Sequence, residues 1–137
     1  MKILAIDYGD RKIGLAISDI NQKLASRLLT LENRILEKSV IIISDIILKE
    51  GIGEVLIGIP VGLKMESEQG RKTEKFIALL REEIEIPIET INEVYTSKMA
   101  EENLLMAGVK RENFRAVIDQ EAARIILQEF LDKKSER

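Results

Sequence analysis

KILAIDYGDRKIGLAISD, residues 2–19, is an apolar run ending in one carboxylate, a tight polar turn, and a second alternating run. Read as a strand, the first run puts Ile3 and Ala5 on the same face as Asp7, because strand side chains alternate with period two. Tyr8-Gly9-Asp10-Arg11 supplies the turn, with Gly9 free to take φ > 0 and Asp10 able to bond its own backbone. The return run puts Ile13, Leu15 and Ile17 on one face and Gly14, Ala16 and Ser18 on the other. That second face is small enough to let backbone, helix or ligand come close. Asp7 is an acid on an otherwise apolar strand, and an unpaired buried carboxylate is costly. It wants a cation.

The rest of the chain narrows what that cation can be. With 137 residues, 45% of them hydrophobic, the sequence makes one domain that buries roughly two-thirds of its unfolded surface. Twenty-four acids stand against 21 bases for a formal charge of −3, so any affinity for nucleic acid must come from local basic patches. Cys and His are both absent. That removes disulfides, thiolate zinc sites, Cys nucleophiles and Ser-His-Asp triads together. A metal must therefore be held by oxygen, which favours Mg²⁺ or Mn²⁺. No apolar run approaches the ~20 residues of a membrane span. Met1 leads straight into a strand, and the expectation is a cytoplasmic protein without a membrane partner.

Lys23 to Leu31 reads as a third strand, linked to the second by the Asp19-to-Gln22 turn. Glu32 to Glu50 is Ile-rich, which favours a strand on propensity, but its length and the Gly51 stop favour a helix. Glu54 to Ile59 looks like a buried parallel strand ended by Pro60. Ser67 is a fitting N-cap for a helix running to about Glu83. Pro87 to Ile91 is a short strand closing in Asn92-Glu93. Thr96 or Ser97 caps a helix that stops at Gly108, Val109 to Arg115 is a basic loop, and Asp119 opens the last helix. The tail from about Lys133 is expected to be disordered.

The resulting order, βββ-α-β-α-β-α-α, implies an α/β fold with a five-stranded mixed sheet. Three antiparallel strands are followed by two parallel ones, with helices on both faces. Ligands of such sheets sit beyond the carboxyl ends of the parallel strands. Asp7 and Glu93 lie at such ends, and Asp119 can lean over the same edge. Three oxygen ligands from distant points suit a two-metal phosphodiester site, in which carboxylates bridge the ions and no histidine is required.

Four segments carry a resemblance that spans essentially the whole chain. They are IDYGDRKIGLAISD, the Gly58-Ile59-Pro60 segment read as a turn, the Thr96-Ser97 pair, and VIDQEAARIILQEFLD at residues 117–132. Together they resemble the YqgF (RuvX) family of small bacterial RNase H-like domains. Those proteins are described as Holliday-junction resolvases and as nucleases maturing the small-subunit ribosomal RNA precursor. The resemblance implies an RNase H-like fold for residues 1–137, with Asp7, an acid ending the last strand, and Asp119 as metal ligands and catalytic residues. It also implies a divalent cofactor and a nucleic-acid partner, precursor 16S rRNA ahead of branched DNA, with ribosomal particles as a further partner. A monomer or weak homodimer is expected.

One segment departs from the pattern. Where the family has Asp-Glu-Arg, then a hydrophobic residue and Thr-Ser, this chain has Asn92-Glu93-Val94-Tyr95-Thr96-Ser97. Alternation sends Asn92 and Glu93 to opposite faces, so one of them reaches the site. Glu93 would keep three carboxylates, whereas Asn92 would substitute a neutral carbonyl.

Each acid also has a plainer role open to it: turn initiation for Asp7, N-capping for Asp119, a solvated strand end for Glu93. Ser67, Thr96 and Ser97 read as caps, since no His is present to activate a hydroxyl. Arg11, Lys12, Lys98, Lys110 and Arg111 are candidate phosphate contacts around the acidic edge. Three functions compete on these residues. The first is a metal-dependent nuclease, with Thr96 or Ser97 orienting an acid or phosphate. The second is a non-catalytic nucleic-acid or ribosome-assembly module with a metal site weakened by Asn92. The third is a phosphate-binding ATPase, since Asp7-x-Gly9 also resembles the first phosphate loop of the actin and sugar-kinase superfamily.

Overall fold

The computed structural model describes residues 1–93 and 97–136. Five strands, β1 (Lys2–Asp7), β2 (Lys12–Ser18), β3 (Ala25–Glu32), β4 (Ile52–Pro60) and β5 (Ile88–Glu93), form one sheet in the order β3-β2-β1-β4-β5. The first three pair antiparallel, while β1–β4 and β4–β5 are parallel. This is the mixed sheet expected from the sequence. Helices α1 (Leu36–Glu50), α2 (Glu68–Glu83), α3 (Ser97–Met106) and α4 (Phe114–Ser135) complete it.

Alternation sorts the strands into two cores. Leu4, Ile6, Ile13, Leu15, Val55 and Ile57 face α1 and α2, where Val40, Ile43, Phe76 and Leu80 meet them. Ile3, Ala5, Ala16 and Leu56 face α4 through Ala123, Ile126, Leu127 and Leu131. The small side chains on the α4 face let that helix lie close to the sheet. Gln128 ties it further, accepting from the Ala25 amide at 2.9 Å and donating to the Lys23 carbonyl at 3.0 Å.

Several boundaries move. The Ile-rich segment is helical, because one stripe of it (Val40, Ile43, Ile47) is buried and Gly51 closes it with φ 67°. Its first residues, Glu32 to Ile35, belong to the end of β3 and the turn after it, not to the helix. Gly58-Ile59-Pro60 is no turn but the end of β4, with Pro60 opposite Glu93. Gly9 has no positive φ; a side chain there would press on the Lys12 carbonyl at 2.5 Å, so close approach is what requires glycine. The basic loop contains a 3₁₀ turn at Arg111–Asn113, and its last two residues, Phe114 and Arg115, already belong to α4. Helical backbone continues past Lys133 to Ser135, with Lys134 Nζ donating to Gln22 Oε1 at 2.8 Å. Ser67 caps α2 as expected, accepting from the Gly70 amide at 3.0 Å. No helix among the described residues is long and apolar enough to cross a membrane.

Candidate functional site

Asp7 is the last residue of β1 and Glu93 the last of β5, so both stand at the carboxyl edge of the parallel strands. Asp7 continues the face of Ile3 and Ala5, toward α4. Glu93 continues the face of Ile91, which packs against the α4 core, and only 8% of it is exposed. Asn92 is exposed and lies opposite Ile59, a residue of the α1–α2 core. Of the two alternatives at this strand end, it is therefore Glu93 that shares a face with Asp7. The solvated strand end does not describe Glu93, which is buried.

Asp119 arrives by a different route from the one expected. Helix α4 begins at Phe114, so Asp119 sits in its second turn and caps nothing. Its position comes from Gly14, the cross-strand partner of Asp7. A Cβ on Gly14 would overlap the Asp119 carbonyl and come within 2.8 Å of the Asp119 Cβ. Gly58 does the same service for Glu93: a Cβ there would meet Ile126 Cδ1 at 2.7 Å and Glu93 Oε2 at 2.9 Å. Two glycines on the strands that flank β1 thus make room for two of the three acids.

The acids feel each other and the loss of water. Burial first, then the charges of Glu93 and Asp119, push the Asp7 carboxyl up from 3.8 to about 7. Burial, with Glu129 adding repulsion, pushes Glu93 up to about 7 as well. Burial also raises Asp119, against the pull of Lys12. Glu93 Oε2 is buried without a hydrogen-bond partner among the described residues. Such an atom is expensive unless something positive completes it.

An all-oxygen donor set with an orphaned carboxylate oxygen and mutual repulsion suits a hard divalent cation. As the side chains stand, no group of three or more such residues among those described is drawn together tightly enough to hold a metal ion.

Arg11 and Lys12 are exposed on the turn after Asp7, and Lys12 lies near Asp119. Lys98, Lys110 and Arg111 are exposed on α3 and the segment before α4, Arg111 over the Phe114 ring at 6.0 Å. Val94, Tyr95 and Thr96 lie outside the described residues, as does the side chain of Ser97, so the hydroxyls expected to orient an acid or phosphate are outside them too. Glu121, not among the expected acids, is buried on α4 and bonded by Arg124 at 2.6 and 2.7 Å, with Arg27 of β3 at 3.8 Å. The signal was there: an acid beside Ala122-Ala123 on the inner stripe, with an arginine three residues on.

Comparison with known proteins identifies the family and the fold. The model of the RuvX family, described as Holliday junction resolvase, matches residues 1–133. A Chloroflexus aurantiacus protein is 37% identical over 135 residues, covering 96% of this chain and 87% of its own length. One from Flavobacterium psychrophilum is 37% identical, with 97% and 98% covered. Both carry the name "Putative pre-16S rRNA nuclease". Among solved structures, T. thermophilus RuvC in complex with Holliday junction substrate superposes with a TM-score of 0.62 at 11% identity, covering 98% of this chain and 96% of that one. Fowlpox virus resolvase with its Holliday junction DNA gives 0.65 at 10% identity, covering 98% and 99%. At such identities these two establish the shared RNase H-like α/β fold and nothing finer. With a family match across nearly its whole length and relatives above one-third identity, the chain belongs to the RuvX family.

Proposed function

We propose that this chain is a metal-dependent nuclease that hydrolyses phosphodiester bonds in structured nucleic acid, its substrate being the 5′ end of precursor 16S rRNA during ribosome biogenesis in the cytoplasm. The observation that supports this reading is that Asp7 and Glu93 end β1 and β5 on the face covered by α4, whose Asp119 packs over Gly14, so that Asp7 takes up the repulsion of both. The names of the full-length relatives supply the substrate.

In this reading Asp7, Glu93 and Asp119 hold Mg²⁺ or Mn²⁺. When bound, two such ions would supply an activated water and charge stabilisation at the leaving oxygen. The chain does the rest. Gly14 and Gly58 fix how far α4 and Glu93 can approach Asp7. The apolar layer of Ala5, Leu56 and Ala123 beneath the acids keeps water out from below. Lys12 offers a positive charge beside Asp119 for a substrate phosphate. Asn92 supplies no ligand in this arrangement, and its departure from the family pattern leaves the acid trio whole.

Asp7→Asn tests the assignment. It should abolish Mn²⁺-dependent cleavage of a precursor rRNA fragment while leaving circular dichroism and RNA affinity in place. Cleavage retained by Asp7→Asn would sink it. A second reading, a binding module of the same fold without catalysis, draws on the looseness of the acid trio as it stands. Failure of millimolar Mn²⁺ to bind would favour that module.

A further inference from the structure

Two shallow depressions meet at Asn33 and Arg34, the first bordered by Lys12, which lies near Asp119. One is lined by Arg11, Lys12, Glu32, Asn33 and Arg34. The other begins at the same Asn33 and Arg34 and runs on past Tyr8 and Asp10 to Lys72 and Lys75. Together they form a channel whose walls carry five cations (Arg11, Lys12, Arg34, Lys72, Lys75) and two acids (Asp10, Glu32). That is a surplus of three positive charges on a chain whose formal charge is −3.

The floor is built, not accidental. The Asn33 amide donates to the Arg11 carbonyl at 2.7 Å, and its side-chain nitrogen donates to the Gly9 carbonyl at 3.0 Å. Ser39 Oγ donates to Asn33 Oδ1 at 2.9 Å, fixing the turn after Asp7 to the start of α1. Tyr8, adjacent to Asp7, stacks on Phe76 with ring centroids 4.5 Å apart. The acids present do not neutralise the walls. Asp10 takes Lys72 at 3.1 Å, with Glu68 on the same Lys72 at 3.5 Å, and Glu32 takes Arg34 at 3.2 Å. All three pairs are exposed and hold their cations weakly, so a phosphate can replace the carboxylate. Arg11, Lys12 and Lys75 have no carboxylate partner among the described ion pairs. On the opposite flank, Lys98, Lys110 and Arg111 are interleaved with Glu101, Glu102 and Glu112, so no comparable surplus builds up there.

We propose that the RNA strand whose phosphodiester lies at the acidic edge leaves along this channel. Lys12 and Arg11 hold phosphates next to the edge, and Arg34, Lys75 and Lys72 hold those further out. The inference rests on the nuclease reading for the polymer's identity and adds its path. Such contacts fix register without reading sequence. It singles out Arg34 and Lys75, which touch none of the three acids.

The test is salt-dependent binding, carried out on the cleavage-dead Asp7→Asn chain. Arg34→Ala/Lys75→Ala is compared with Lys49→Ala/Arg81→Ala, which removes the same charge from the far ends of α1 and α2. The probes are a structured RNA with a single-stranded flank and DNA of the same sequence. Losing two phosphate contacts should shrink the slope of log K against log salt by about 1.4–1.8 and weaken binding at least about tenfold, with the control pair near unchanged. Loss on RNA alone or on both polymers supports the channel. An unchanged slope, an equal loss in the control, loss on DNA alone, or no binding of either polymer overturns it. Cleavage by the otherwise unmodified chain is measured alongside. Cleavage with an unchanged slope removes the channel and leaves the nuclease, whereas a shrunken slope without cleavage does the reverse.

Discussion

Gly14 holds the backbone of Asp119 in the space that any other residue would fill with its own side chain. Because Gly14 is also the register partner of Asp7, one missing Cβ sets the separation of two acids that lie far apart in sequence. Gly14→Ala cannot be absorbed by turning a flexible side chain, since the obstacle is main chain. Overpacking of this kind costs about 1–3 kcal/mol and displaces what it touches. Urea unfolding should register that loss, and Mn²⁺-dependent cleavage should fall by more than tenfold as α4 lifts from the sheet. A variant as stable and as active as the parent would mean the contact is slack.

Asp7 should make the fold less stable as pH rises. Its carboxyl titrates near 3.8 in the unfolded chain and about 7 in the folded one, so the folded state holds the proton more tightly. Stability is then greatest below pH 4, declines between about 4 and 7, and is flat above. At about 1.4 kcal/mol per unit, a rise of about three units makes the full effect on the order of 4 kcal/mol. Asp7→Asn removes the titrating group, so in metal-free buffer it should be more stable than the parent at pH 8 and closely matched to it at pH 4. Urea midpoints at a series of pH values decide this; parallel curves for the two chains would refute it.

Metal binding should run the opposite way. A ligand carboxylate must lose its proton first, and Asp7 and Glu93 both hold theirs to about pH 7. Mn²⁺ affinity, read by calorimetry or by the rise in Tm, should therefore climb steeply between about pH 6 and 8. A bound ion stabilises by mass action, about 2.7 kcal/mol at a hundredfold excess over Kd. The same titration on Asp7→Asn should give little or no shift. Equal affinity at pH 5.5 and 8 would contradict the acid trio as ligands.

Glu121 anchors the helix that carries Asp119. It is 3% exposed, and Arg124 and Arg27 are its cationic neighbours. Arg27 Nη1 is itself buried without a hydrogen-bond partner among the described residues. Glu121→Ala leaves two partly buried guanidinium groups facing a gap, and breaking a buried pair from one side costs about 3–5 kcal/mol. The exposure of both arginines trims that to roughly 2–3 kcal/mol. Chemical denaturation checks it: a change under 1 kcal/mol would show that the cluster only decorates the helix.

What could be read in advance divides by range. Alternation along residues 2–19 gave the sheet face of Asp7 and the reason for Gly14, Ala16 and Ser18, because strand periodicity is local. The antiparallel-then-parallel order followed from element sequence and connection length. The start of α4 did not, because Asp119 imitates an N-cap while the helix in fact begins five residues earlier, out of a 3₁₀ turn. Gly58 read as a turn beside Pro60; only its parallel pairing with β5 reveals that it makes room for Glu93. The channel past Arg34 and Lys75 was invisible, since those residues come together from separate elements that the sequence alone does not juxtapose.

Asn92 and Glu93 give the sharpest comparison. The family pattern has an acid where this chain has Asn92, which tempts one to restore it. Asn92 is exposed on the α1–α2 side of β5, opposite Ile59, whereas Glu93 is buried on the α4 side with Oε2 unpartnered among the described residues. A carboxylate at 92 would point away from Asp7, and strand alternation forbids swapping faces without slipping the register. Asn92→Asp should therefore change Mn²⁺ affinity and cleavage by less than about twofold. Glu93→Gln keeps the size and removes the charge, and should lower both by at least a factor of about 100, on the order of 2.7 kcal/mol. A gain of tenfold or more from Asn92→Asp, with Glu93→Gln still active, would place the third ligand on the other residue and require β5 to present its opposite face to the site.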